Sequence, residues 1–231
     1  MNRLKNMSTL VLLLTVILLA GVNSDYFVTP EADLHSTYLP QDGEWTNLIQ
    51  GDLSENWVQR GGEAKYRIQG NQIVGTTVPD TPNSFLCTKM EYGDFVLELE
   101  VKVDPELNSG IQIRSQSKAS YNNGRVHGYQ VEIDPSERAW SGGIYDEARR
   151  GWLDDLEGQP EARKAFKNGE WNKYKIRAHG DTLKTWVNGV PVAHLVDSMD
   201  ASGFIGLQVH STDHEEPLQV RWRNIRVKLL E

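Results

Sequence analysis

An all-β fold is predicted for this 231-residue chain by three observations. Nine short segments carry apolar residues at every second position and are separated by Gly, Asn, Asp or Pro. Asn188-Gly189 lies just past one of them, and Asn-Gly supplies the two positive-φ positions of a type I′ turn, so it joins two paired strands. Helical leanings are confined to 158–168, which cannot supply the crossover helices of an α/β sheet. With 39% hydrophobic and 24% charged residues the composition is that of a globular chain with a real core, which excludes disordered, collagenous and multi-span membrane classes.

Taken in order, residues 1–24 read as a secretory signal peptide: basic Arg3 and Lys5, an apolar run over 10–20, then Val22-Asn23-Ser24 with small residues where a signal peptidase reads. The run is shorter than the roughly 20 residues of a membrane span. No cysteine stands at the cleavage site to take a lipid anchor. The expectation is a periplasmic or secreted protein, free of the membrane after cleavage. Residues 25–43, with Pro30, Pro40 and Asp42-Gly43, show no lasting period and form an extended lead-in to a single domain over 44–231. The net charge of −8 repels nucleic acid and anionic lipid, so neither is expected as a partner. Cys87 is the only cysteine, which excludes an intramolecular disulfide and a multi-cysteine metal site. Nothing local lowers its pKa, so it reads as a small buried hydrophobe.

The predicted strands are 64–70, 72–77, 94–103, 110–115, 128–133, 172–179, 183–187, 203–210 and 219–229. In 94–103, Phe95, Leu97, Leu99, Val101 and Val103 share one face while Glu98, Glu100 and Lys102 share the other, as in a sheet with one buried and one wet side. In 110–115, Ile111 and Ile113 alternate with Gln112 and Arg114. In 128–133, Val131 and Ile133 point inward, and Gln130 and Glu132, continued by Asp134, line the opposite side. In 203–210, Leu207 and Val209 are core, whereas Gln208 and His210 face out. If these strands are sheet neighbours, the polar side chains converge.

A half-exposed sheet always has a polar face, and a solvated surface is one reading of this one. Long amides, an Arg, a His and two carboxylates also suit hydrogen bonding to a polyhydroxylated ligand. Trp140, Tyr145 and Trp152 are either core or flat platforms for sugar rings, while Tyr129 has the phase of the core. Glu132, Asp134 and Glu137 have the spacing of a retaining glycosidase triad, but Pro135 breaks ladder pairing and sends Glu137 into a turn unless a bulge returns it. His127 is a rim residue or an ordinary loop histidine. His179, His194 and His214 lack two-ligand spacing, so no zinc is expected. Asp154, Asp155 and Glu157 read as a solvated acidic loop rather than a calcium site.

Six segments in order, Ser109-Gly-Ile-Gln-Ile-Arg-Ser115, Gly128-Tyr-Gln-Val-Glu-Ile-Asp134, Ser141-Gly-Gly-Ile-Tyr145, Trp171-Asn-Lys-Tyr-Lys-Ile-Arg177, Trp186-Val-Asn-Gly-Val-Pro-Val192 and Gly203-Phe-Ile-Gly-Leu-Gln-Val-His210, are together similar to the 3-keto-disaccharide hydrolase family. The resemblance implies a concanavalin-like jelly-roll sandwich of two antiparallel sheets that acts on glycosides whose glucose-type ring is a ketone at C3. A C3 ketone acidifies the C2 proton, so removal of that proton followed by loss of the C1 substituent needs no glycosidase pair. It further implies Glu132 or Asp134 as the base, His210 as partner acid/base and Arg114 as the group stabilising the enolate. Gln112, Gln130, Tyr145, Gln208, His127, Trp152 and Arg150 are the expected substrate contacts. There is no dinucleotide fingerprint, so a separate oxidoreductase is expected to make the 3-keto substrate, and no cofactor is expected. The rival readings are a noncatalytic carbohydrate-binding module, a retaining glucanase-like hydrolase and a partner-binding sandwich like laminin G domains, which binds through its loop rims.

Overall fold

The structure is a computed structural model that describes residues 43–231. The segment read as a signal peptide, 1–24, and most of the lead-in lie outside the described residues. The chain forms, in order, β1 (Trp45–Asn47), α1 (Leu53–Asn56), β2 (Trp57–Gly61), β3 (Lys65–Gln69), β4 (Gln72–Thr76), β5 (Ser84–Tyr92), β6 (Phe95–Val103), β7 (Ser109–Ser115) and β8 (Gly128–Ile133). There follow β9 (Ile144–Glu147), β10 (Gly151–Asp154), α2 (Pro160–Arg163), β11 (Asn172–His179), β12 (Thr182–Val187), β13 (Val190–Val196), β14 (Gly203–Val209) and β15 (Gln219–Leu229).

All strand pairs are antiparallel, and they form two stacked sheets. The back sheet has the order β13-β12-β11-β6-β15-β4-β3, with β1 pairing the end of β15. The front sheet has the order β10-β9-β8-β7-β14-β5-β2. This is the all-β jelly-roll sandwich expected from the sequence. Between the sheets lie the apolar faces that the alternation predicts: Leu97 and Val101 of β6, Ile111 of β7, Val131 of β8 and Leu207 of β14 are fully buried together with Trp222 of β15. Truncating a fully buried leucine such as Leu97 to alanine costs about 2–5 kcal/mol, because the cavity it leaves closes only in part. Asn188 (φ 50°) and Gly189 (φ 83°) make the positive-φ turn between β12 and β13.

The nine predicted strands are present, and the structure adds six. The largest addition is β5, in which Ser84, Phe85, Leu86, Cys87 and Thr88 are all buried. Phe85, Leu86 and Cys87 put apolar side chains on both faces in succession, so this stretch carries no period-two signature. The helical leaning over 158–168 yields only the single turn of α2.

The two sheets differ on their outer faces. The outer side of β6 is partly exposed, its burial alternating residue by residue. On the front sheet, every residue of β7, β8 and β14 is buried, the polar ones included. Buried polar groups must find partners or carry a desolvation cost. The solvated-surface reading therefore fails for the front face.

Candidate active site

Sheet register assembles the site. One cross-strand row runs through Cys87, Gly206, Gln112, Gln130, Tyr145 and Trp152. The adjacent row carries Gln208, Gly110 and Glu132. The glycines make room, since a Cβ at Gly110 would overlap the Gln130 side chain and one at Gly206 would press on Gln112.

Across these rows the side chains form a continuous relay. Ser115 Oγ donates to Gln112 Oε1 at 2.6 Å, Gln112 Nε2 to Gln130 Oε1 at 2.6 Å, and Gln130 Nε2 to Glu132 Oε2 at 3.0 Å. Each amide has one orientation in this chain, fixed by the carboxylate, which accepts only. Glu132 Oε1 accepts from Asn108 Nδ2 at 2.8 Å and from Arg138 Nη2 at 3.2 Å. Burial is the dominant influence on Glu132 and pushes its pKa up, against the hydrogen bonds from Asn108 and Gln130 and the charge of Arg138.

Asp134 differs. Its carboxylate accepts from Ser136 N and Oγ, from Arg138 Nε at 2.7 Å and from Trp140 N at 3.2 Å. Burial works to raise its pKa, but these hydrogen bonds outweigh it and hold the group below the usual carboxylate range. Asp134 is the anchor of the 134–140 turn, not a group free to take a proton. The same turn leaves Glu137 exposed, so it does not join Glu132 and Asp134 on the face and the glucanase-type triad does not form. Arg138 stands there instead, its guanidinium over the rings of Trp140 (5.2 Å) and Trp152 (5.0 Å). Trp152 packs edge-on against both Trp140 and Tyr145, completing an aromatic wall.

Gln208 is fully buried, and neither atom of its side-chain amide has a partner among the described residues. Such an orphan costs about 1–3 kcal/mol, which a hydroxylated ligand would recover. His210 follows β14 directly; its Nδ1 lies 2.8 Å from Ser211 O. His127 is 5% exposed and stacks on Tyr121 at 4.0 Å, with Nδ1 on Arg125 O, so it belongs to the interior of the 116–127 loop and not to a rim. Val126 of that loop packs with Phe85, Cys87 and Phe204 over the β5 side of the face. Cys87 is fully buried there, and burial pushes its thiol to about 12, in line with the inert role expected.

Two expected site residues are elsewhere. Arg114 sits at a bulge with φ 48°, and this turns its side chain off the face. It donates to the carbonyls of Gly93 (2.8 Å) and Gly180 (2.7 Å) and pairs with Asp94 at 2.7 Å, tying loops at one end of the sandwich. Arg150 pairs with Asp146 and Asp197 at that same end, and Arg149 with Asp146 and Asp200. Neither Arg114 nor Arg150 reaches Glu132.

Sequence reasoning missed Arg138, Asn108 and Glu147. Arg138 and Asn108 lie in turns, where periodicity carries no information; the one available signal was the four-residue spacing from Asp134 to Arg138. Glu147 shares its strand face with Tyr145, two residues before it. Glu147 is 6% exposed, and Arg125 at 3.5 Å is its ion-pair partner. Burial raises its pKa, with the charges of Arg125 and His210 opposing and that of Asp146 adding. Among the described residues no group of three or more His, Cys, Asp or Glu is arranged to hold a metal ion.

A family model, the 3-keto-α-glucoside-1,2-lyase-like domain, matches residues 44–228. The chain belongs to that family. It is a carbohydrate-directed jelly roll, of a kind that includes hydrolase-like and binding members. No curated protein sequence matches it. Among solved structures it is similar to the carbohydrate-binding module CBM66 of Bacillus subtilis (TM-score 0.57, 14% identity, covering 75% of this chain and 95% of that one). It is also similar to a B. subtilis protein with a galectin-like fold (0.59, 12%, 84% and 100%) and to a prokaryotic β-1,3-1,4-glucanase from a mouse hindgut metagenome (0.55, 12%, 81% and 99%). At these identities the likeness is one of fold. Family membership agrees with the resemblance of the six sequence segments.

Proposed function

We propose that the protein cleaves 3-keto-glycosides by elimination, with Glu132 as the base. The observation that carries this reading is the contrast between two neighbouring carboxyls: Glu132 with its pKa raised, and Asp134 with its pKa lowered and all of its contacts committed to a turn. A base needs a pKa brought up towards the working pH. Glu132 takes the C2 proton, and the electron pair moves into an enolate whose oxygen at C3 lies against Arg138, which takes the role expected of Arg114. The enolate collapses back to the ketone as the C1–oxygen bond breaks, and His210 gives the leaving oxygen its proton. Water then adds across the resulting C1=C2 bond, returning a proton to C2, and a 3-keto sugar is released. Gln208 and the wall of Trp152 and Tyr145 hold the ring. The oxidation that makes the ketone falls to a separate oxidoreductase, and the signal-like residues 1–24 direct the protein to the periplasm or beyond.

The test is incubation with a 3-keto-glucoside in D2O, following aglycone release and C2 deuteration by NMR. Release with exchange, abolished by Glu132→Gln, is the expected result. Full turnover in Glu132→Gln removes it as the base. Glycan binding with neither release nor exchange overturns the catalytic reading in favour of a sugar-binding module.

A further inference from the structure

On the far side of the sandwich from Glu132, the back sheet carries a groove of about 460 Å³. Trp45 and Asn47 of β1 form one bank, Asn224 and Arg226 of β15 lie along it, and Glu98 and Glu100 of β6 with Lys173 of β11 form the other. Its shape follows from one irregularity. β15 bulges between Arg223 and Arg226, with Asn224 at φ 52°, so β4 pairs with the first half of the strand and β1 with the second. The bulge aims Asn224 Nδ2 at Glu100 Oε1, 2.9 Å away.

The charges in this groove are already matched. Arg226 Nη2 pairs with Glu98 at 2.6 Å, Lys173 Nζ lies 3.5 Å from the same carboxylate, and Arg223 pairs with Glu100 at 2.7 Å. An ionic ligand would have to break pairs to bind, so neither an anion nor a cation is favoured. Trp45 is 39% exposed, with Arg226 held 4.5 Å from its ring centre, which orients the indole as a plate at the groove edge. An aromatic plate beside amides and neutralised carboxylates that still have free lone pairs matches one ligand chemistry: rings with apolar C–H faces and hydroxyl edges.

We infer that this groove is a second glycan-binding site, separate from the front face, that takes a neutral oligosaccharide across Trp45. It would hold the protein on a sugar chain while the front face works, and it does not depend on the cleavage reaction proposed above.

The test is titration of the full chain with cellohexaose, laminarihexaose and maltohexaose, with an oligogalacturonate of equal length as the anionic comparator. Binding is followed by calorimetry and by the Trp45 indole N–H resonance. The expected result is binding of at least one neutral hexaose that shifts this resonance, weakens tenfold or more in Trp45→Ala, is largely restored in Trp45→Phe and persists in Glu132→Gln. The resonance in the unsubstituted chain is a readout that no folding defect can mimic. Three outcomes overturn the inference: no neutral hexaose binds, binding leaves the Trp45 resonance and the Trp45→Ala affinity unchanged, or the anionic chain binds better than every neutral one.

Discussion

Arg138 Nε donates to Asp134 Oδ2 at 2.7 Å while its Nη2 reaches Glu132 Oε1 at 3.2 Å, so one guanidinium serves two carboxylates of opposite pKa tendency. Replacing Arg138 with alanine removes the charge that opposes the rise at Glu132 and unlocks Asp134. We expect kcat/KM on a 3-keto-glucoside to fall by about a hundredfold or more, as when a charge-stabilising donor is lost, with only a modest drop in melting temperature because Arg138 is 42% exposed. Steady-state kinetics beside a thermal melt would check both.

The raised pKa of Glu132 makes a prediction about stability. A carboxyl raised in the folded state contributes stability that is fully present below its ordinary value of 4.5 and lost as pH climbs through the folded value. Glu132→Gln cannot ionise and escapes this loss. The melting temperature of the unsubstituted chain should therefore fall relative to that of the variant as pH rises above 4.5 and through the folded value. A constant difference would mean that Glu132 is not perturbed.

Asp197 behaves in the opposite sense. The hydrogen bond from Arg150 is the main cause, with Tyr129 adding and burial opposing, and its pKa is held down to about 2 against an ordinary 3.8. Its contribution is present above 3.8 and lost as pH falls towards 2. Asp197→Asn should be destabilised at neutral pH, and the gap in denaturant midpoint should close in acid.

Arg114 is a structural group. Arg114→Ala leaves the Gly93 and Gly180 carbonyls short of a donor and Asp94 without its ion pair, each orphan costing about 1–3 kcal/mol where it is buried. We expect a large loss in urea midpoint. The fraction that stays folded should keep its kcat, measured against active-site titre, whereas a role in enolate stabilisation requires kcat itself to collapse.

Gly110→Ala probes the geometry of the front face. Its Cβ would displace Gln130 from between Gln112 and Glu132. A steric cost of about 1–3 kcal/mol is expected, with loss of turnover exceeding the loss of fold. The amide resonances of Gln112 and Gln130 should shift together.

Much of this was legible in the sequence wherever a strand alternates polar with apolar residues. The alternation of Phe95 to Val103 fixes β6 residue by residue, and the phases of Gln112, Gln130, Glu132 and Gln208 put them on a common face. β5 was invisible because Phe85, Leu86 and Cys87 are apolar on both of its sides. Arg114 obeyed the alternation as far as sequence can tell; its departure is a one-residue bulge, which changes φ without changing any letter of the pattern. Arg138 and Asn108 come from turns, whose side-chain directions depend on hydrogen bonds closed only in the finished fold, such as those of Asp134.

The covered polar face on β7, β8 and β14 also acts as a proof-reading device during folding. Slipping any of these strands by one residue would drive Gln112, Glu132 or Gln208 between the sheets and push Ile111, Val131 or Leu207 onto the relay. Misregistered sandwiches are thus penalised on both surfaces at once, and no collapsed chain can keep a good interior while losing the relay. Activity and native pairing should be recovered in the same kinetic phase on refolding.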